Sequence, residues 1–81
     1  MVNIKKGGIP PNRIQDYLGE ELAVDLKNHH QMKGILMFYH LTEQMIHMAN
    51  WKEFNESGEL IRKGKYIVIN RTAWFALYKE E

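Results

Sequence analysis

The strongest constraint in this sequence lies near its C-terminus. Two consecutive runs, Tyr66-Ile67-Val68-Ile69 and Trp74-Phe75-Ala76-Leu77-Tyr78, are apolar at odd and even positions alike, and the polar break Asn70-Arg71-Thr72 separates them. Runs of this length read as strands. Successive strand side chains point to opposite faces, so in a small sheet protein one parity meets the core and the other is normally polar. Two strands greasy on both faces need a second cover, either from elsewhere in the chain or from another chain. The chain has 81 residues, enough for one domain, and a domain of this size buries only ~60% or slightly more of its unfolded surface. Disulfides, a metal or oligomerisation usually supplement so small a core. Cysteine is absent, which removes disulfides, thiolate metal sites and cysteine nucleophiles together. One short helix and a long hairpin could cover only part of the outer face. We therefore expect an oligomer joined by pairing of strand edges.

The rest of the chain reads as one mainly β domain. Residues 1–8 read as a flexible tail, since Lys5-Lys6-Gly7-Gly8 offers nothing to bury. Pro10-Pro11 favours a helix start, Ile14, Tyr17 and Leu18 form a short apolar stripe at i, i+3 and i+4, and Gly19 is a natural stop. The period then changes to two. Leu22, Val24 and Leu26 mark a first strand, and Asn28-His29-His30 is a break of hairpin size. A second strand from about Gln31 to Tyr39 places Met32, Leu36 and Phe38 on one parity. Gly34 shares that parity, as expected where a strand bends sharply or another backbone comes close. A third strand spans about Gln44 to Ala49. Residues 50–64 read as a long hairpin loop whose strands extend beyond the barrel and turn at Asn55-Glu56-Ser57-Gly58, and further strands span Lys65–Ile69 and Ala73–Tyr78. The domain is residues 9–81.

Composition and motifs exclude more than they assign. Eleven Lys and Arg against ten Asp and Glu leave a net charge of +1, which rules out a strongly basic polyanion-binding surface but leaves room for a local basic face at Arg62, Lys63 and Lys65. No apolar run approaches the ~20 residues of a membrane span, and the first residues lack the apolar stretch of a secretory signal, so a cytoplasmic protein is expected. Without that signal, the glycosylation-like triplets Asn55-Glu56-Ser57 and Asn70-Arg71-Thr72 read as accidental. There is no P-loop, dinucleotide fingerprint or serine elbow. His29 and His30 would point to opposite sides of a strand, and the four-residue spacings Asp25–His29 and Glu43–His47 would gather ligands only on a helix. No metal site and no cofactor are expected. Asp16, Glu20, Glu21, Asp25 and Glu43 fall on exposed parities or element ends and read as solvated charges, so no catalytic residue is expected either.

A short helix followed by five strongly bent strands, the last two split by a tight polar loop, resembles the Sm/Lsm-like protein family, in its archaeal form. The resemblance runs from about Pro10 to Lys79. Tyr17-Leu18-Gly19, Leu22-Ala23-Val24-Asp25-Leu26-Lys27-Asn28 and Lys33-Gly34-Ile35-Leu36 are similar to the family's Leu-Gly, Val-x-Leu-Lys-Asp and Gly-x-Leu positions. The stretch from Tyr66 to Leu77 is similar to its second motif of strand, Ile-Arg-Gly and closing strand. The resemblance implies a helix-capped, five-stranded SH3-like barrel. It also implies a homo-oligomeric ring of six or seven subunits, closed by pairing the fourth strand of one subunit with the fifth of the next. Such rings bind single-stranded, often uridine-rich RNA non-catalytically, at the loops between strands two and three and between strands four and five. On this chain those loops carry His40, Thr42 and Gln44, then Asn70, Arg71 and Thr72. His40 stands where the family has Asp, Thr42 at its base-stacking position and Gln44 at its Asn, while Arg71 is the candidate loop arginine. If the nucleotide pocket is degenerate, the implied alternative is a ring that scaffolds protein interactions.

Overall fold

The computed structural model describes residues Gly8 to Glu80. The flexible-tail reading of residues 1–8 therefore falls outside it except at Gly8, whose neighbour Ile9 donates its amide to the Leu77 carbonyl at 2.7 Å. A 3₁₀ helix, Pro11–Tyr17, precedes five strands: β1 Glu21–Leu26, β2 Gln31–His40, β3 Met45–Phe54, β4 Leu60–Ile69 and β5 Trp74–Tyr78. All five belong to one antiparallel sheet in the order β4-β3-β2-β1-β5. No helix among the described residues is long and apolar enough to cross a membrane.

The helix is tighter than an α-helix, with the Arg13 amide reaching the Pro10 carbonyl at 2.8 Å. At three residues per turn, positions i and i+3 eclipse while i+4 swings away. Ile14 is accordingly fully buried and Tyr17 half-buried, but Leu18, the third member of the expected stripe, is exposed. Gln15 Nε2 donates to the Tyr39 carbonyl at 2.8 Å, and the Gly19 amide to the Leu36 carbonyl at 2.8 Å. These bonds seat the helix on β2.

The core lies on the inner face. Leu22, Val24 and Leu26 from β1 meet Met32, Leu36 and Tyr39 from β2, Ile46, Met48 and Trp51 from β3, Ile69 from β4 and Leu77 from β5. Because β4 and β5 occupy opposite ends of the strand order yet reach the same cluster, the sheet curls around its core. It does not close. Strand β4 pairs only with β3 and β5 only with β1, so the continuous barrel expected from the sequence is an open, curled sheet with two edges.

Two irregularities set which side chains face inward. Leu36 pairs with Met48 and Phe38 with His47, leaving Met37 as an extra residue on β2. Such a bulge reverses the parity beyond it. Phe38, expected in the core, is exposed, and Tyr39 takes its place. In β3 the register slips between Ala49 and Lys52, opposite Gly34, and a Cβ on Gly34 would stand 3.1 Å from the Ala49 carbonyl oxygen. That close backbone approach is what a glycine on a core-facing parity implied.

The segment 50–64 forms the expected hairpin, its strands continuing β3 and β4. Strand β3 runs through Trp51 to Phe54, β4 begins at Leu60, and only residues 55–59 turn. Within that turn Asn55 Oδ1 accepts the amides of Ser57 and Glu59 at 3.0 and 2.9 Å. The hairpin strands add buried Trp51 and Glu53 to the inner face.

Candidate functional site

The turn after β2 and the turn before β5 meet. Residues 41–44 and 71–73 are turns, and Trp74 Nε1 donates to the Gln44 carbonyl at 2.9 Å. Gln44 has a positive φ of 54°, and its amide reaches back to the His40 carbonyl at 2.6 Å, so both backbone polar groups of Gln44 are held. Its side chain and that of Arg71 line one open cavity of about 600 Å3 with Lys27, Trp74, Phe75 and the Pro10-Pro11 pair. Among the described residues no carboxylate lines it. Arg71 is exposed and, among the described residues, makes no hydrogen bond or ion pair. Two cations, a side-chain amide and an indole around a carboxylate-free hollow suit a ligand that combines negative charge with a flat ring.

The other four candidate residues are not part of this lining. His40 ends β2, with Nδ1 3.6 Å from Glu43 Oε1 and its ring edge-on to Phe38 at 4.5 Å. Thr42 is exposed in its turn, and Thr72 is exposed in the other. Asn70 borders a separate cavity of about 500 Å3 shared with Asn28, Glu53 and Arg62, and Lys27 lies between the two hollows and lines both. Gln44 and Arg71 thus come together, while His40, Thr42, Asn70 and Thr72 lie around them. Lys27 and Trp74 carried no functional signal in the sequence, because a strand-end lysine and a strand tryptophan read as ordinary surface and core.

One carboxylate that carried no signal in the sequence is buried. Glu53 is 3% exposed. Its Oε2 lies 2.7 Å from His30 Nδ1, and its Oε1 accepts Arg62 Nε and Nη2 at 2.9 and 2.6 Å. Burial alone would raise its pKa. The hydrogen bonds from His30 and Arg62, and their charge, outweigh that cost and hold it below the ordinary carboxylate range. Arg62, read from the sequence as part of a basic face, stays exposed, but its charge is paired with Glu53. His30, read as a solvated turn residue, is one of the partners. Elsewhere the Tyr78 hydroxyl donates to Asp25 Oδ1 at 3.0 Å and accepts from Gln31 Nε2. Burial first, and then the Asp25 charge, push its pKa up to about 12. Among the described residues no three His, Asp or Glu side chains gather as metal ligands.

The same fold recurs in solved structures. An Sm protein of Pyrococcus abyssi, solved in complex with a uridine heptamer, superposes with a TM-score of 0.77 at 23% identity, over 86% of this chain and 96% of that one. The fold is Sm-like. A heptameric archaeal Sm protein matches with a TM-score of 0.75 at 18% identity, over 86% and 98% of the two chains. A chain of the NatC complex, solved with CoA, also shares the Sm-like architecture, with a TM-score of 0.72 at 16% identity over 84% of each chain. No protein-family model matches the sequence, and no curated protein does.

Proposed function

We propose that the chain is a cytoplasmic, non-catalytic RNA-binding subunit of a homo-oligomeric Sm-like ring of six or seven copies. In this reading β4 of each copy pairs with β5 of the next, and single-stranded, often uridine-rich RNA binds at the repeated Gln44–Arg71 cavity. The observation that carries RNA binding is the carboxylate-free cavity where Gln44, Arg71, Lys27 and Trp74 meet. The uridine heptamer held by the Pyrococcus abyssi protein and the heptameric state of its archaeal counterpart support the same reading. Assembly is supported by two open strand edges whose outward apolar side chains, Val68 on β4 and Phe75 on β5, are both exposed. Edge pairing would set them side by side, and a ring would multiply a weak single contact into avidity.

Light scattering on the purified chain should give a mass of several copies, and Phe75→Glu should reduce it. Fluorescence anisotropy with labelled oligo-U should show binding that falls steeply with salt and is weaker in Arg71→Ala. A stable monomer, or a folded oligomer that ignores oligo-U at low salt, overturns the reading.

A second reading, a protein-interaction scaffold with a degenerate pocket, is favoured by Thr42, which stands at the family's stacking position yet is exposed and outside the cavity lining. The matching chain in the NatC complex is a precedent for this fold within a protein assembly. Oligomers that form normally but bind no RNA, with or without Arg71→Ala, would decide for it.

A further inference from the structure

The registers of β2, β3 and β4 align their outward side chains in rows across the sheet. Lys33, Lys52 and Lys63 stand directly opposite one another. Two rows further along, Phe38, His47 and Val68 do the same, and Tyr66 pairs with Ala49 between them. Neighbouring strands lie about 4.8 Å apart, and like charges directly opposite each other are unfavourable. Among the described residues, only Lys33 of the three has a counter-charge, Glu80 Oε1 at 2.8 Å. Lys52, Lys63 and the adjacent Lys65 are exposed and make no ion pair or hydrogen bond among the described residues. They border a shallow cavity of about 350 Å3 over Trp51 and Gly64 that no carboxylate lines. Glu53, the acidic residue next to Lys52, points to the opposite face and is committed to Arg62 and His30.

Aromatic surface continues from the lysines. Tyr66 is 54% exposed and Phe38 44%. His47 joins them, with Nδ1 2.7 Å from the Tyr66 hydroxyl and its ring centroid 5.4 Å from that of Phe38. Acidic groups flank the stretch on two sides, Glu43 beside His40 at the far end and exposed Glu21 on β1, opposite Ile35. Pairing at the edge of β4 would occupy its backbone and leave these outward side chains open.

We propose that the outer face of β2–β4 is a second contact surface for single-stranded RNA, with phosphates on Lys52, Lys63 and Lys65 and bases on Tyr66 and Phe38. It shares no residue with the Gln44–Arg71 cavity and stands whether or not that cavity binds uridine. Unpaired cations beside exposed rings match a chain that alternates phosphates with flat bases, and sheet-borne aromatics stack splayed bases without selecting sequence. An acidic peptide would satisfy the lysines and leave the rings unused.

Anisotropy with labelled oligo-A and oligo-U, titrated over a range of salt, tests the surface on the full chain. Lys52→Glu/Lys63→Glu should weaken oligo-A binding about tenfold or more at low salt. It should also flatten the slope of log affinity against log salt by roughly 1.4 if two phosphate contacts are lost. Tyr66→Ala should weaken binding about fivefold or more, whereas Arg71→Ala should leave oligo-A affinity and slope unchanged. Lys52→Gln/Lys63→Gln, with oligomeric mass and circular dichroism as controls, gives the same readout if the charge reversal disturbs folding. Unchanged affinity and slope in the lysine variants overturn the proposal, whatever Arg71→Ala does to oligo-U. Competition by poly-glutamate as effective as that of RNA of equal charge also overturns it, and would mark a dock for acidic protein segments.

Discussion

The indole of Trp74 hydrogen-bonds the main-chain carbonyl of Gln44 at 2.9 Å, and this contact ties the turn after β2 to the start of β5. The two residues lie 30 positions apart in the chain, yet the bond fixes which side chains share the cavity. Trp74 is itself held edge-on against Tyr39, with ring centroids 6.5 Å apart. Trp74→Phe keeps the ring and removes the donor. Urea denaturation should record a loss of about 0.5–1.5 kcal/mol. Oligo-U affinity should fall with it, because Gln44 loses the partner that anchors its left-handed backbone.

Gly64 faces the Trp51 indole so closely that a Cβ would stand 2.8 Å from three of its ring atoms. Trp51 cannot easily retreat, since Gly34 lies against its Cα and Cβ. Gly64→Ala should therefore destabilise by about 1–3 kcal/mol through overpacking, with a change in tryptophan emission as the buried indole moves. Unaltered stability would mean that the hairpin gives way instead.

Acid should unfold the protein partly through Glu53. Its pKa is lower in the folded state than in the unfolded chain, so its contribution to stability is complete above the unfolded carboxylate value of about 4.3. That contribution disappears as pH falls through the folded value. Glu53→Gln should lower stability at neutral pH and flatten the acid limb of the stability–pH curve. Arg62→Ala should steepen the loss at higher pH, because the buried carboxylate keeps only His30.

At alkaline pH the sign reverses. Tyr78 has its pKa pushed up to about 12 in the fold, against about 10 in an unfolded chain. The folded state holds this proton more tightly, so the stabilisation is full below pH 10 and is lost as pH rises toward 12. Tyr39, whose pKa burial also raises, contributes in the same direction. Chemical denaturation between pH 9 and 12 should show a shallower decline for Tyr78→Phe than for the parent.

Much of the fold was legible in the chain because its cues are local. The alternation of Leu22, Val24 and Leu26, the hairpin break at Asn28–His30 and the glycine at position 34 each act within a few residues, and each appears where expected. Helix type was less legible, since two prolines and a three-residue spacing allow either an α- or a 3₁₀ turn. The pairing of Gln44 with Arg71 on one cavity followed from the resemblance of order and spacing, not from either residue alone.

What the sequence by itself determined is the set of strands and the surplus of apolar side chains on the last two, because alternation along a strand is a property of neighbours in the chain. Only the tertiary structure decided the rest. The extra residue at Met37 put Tyr39 inside and Phe38 outside. Burial of Glu53 against His30 and Arg62 paired off one surface cation, and cross-strand register drew Lys33, Lys52 and Lys63 into a single row. Each of these depends on which residues stand opposite one another across strands. That register is set by competition among distant segments for the same core, and no local pattern encodes it.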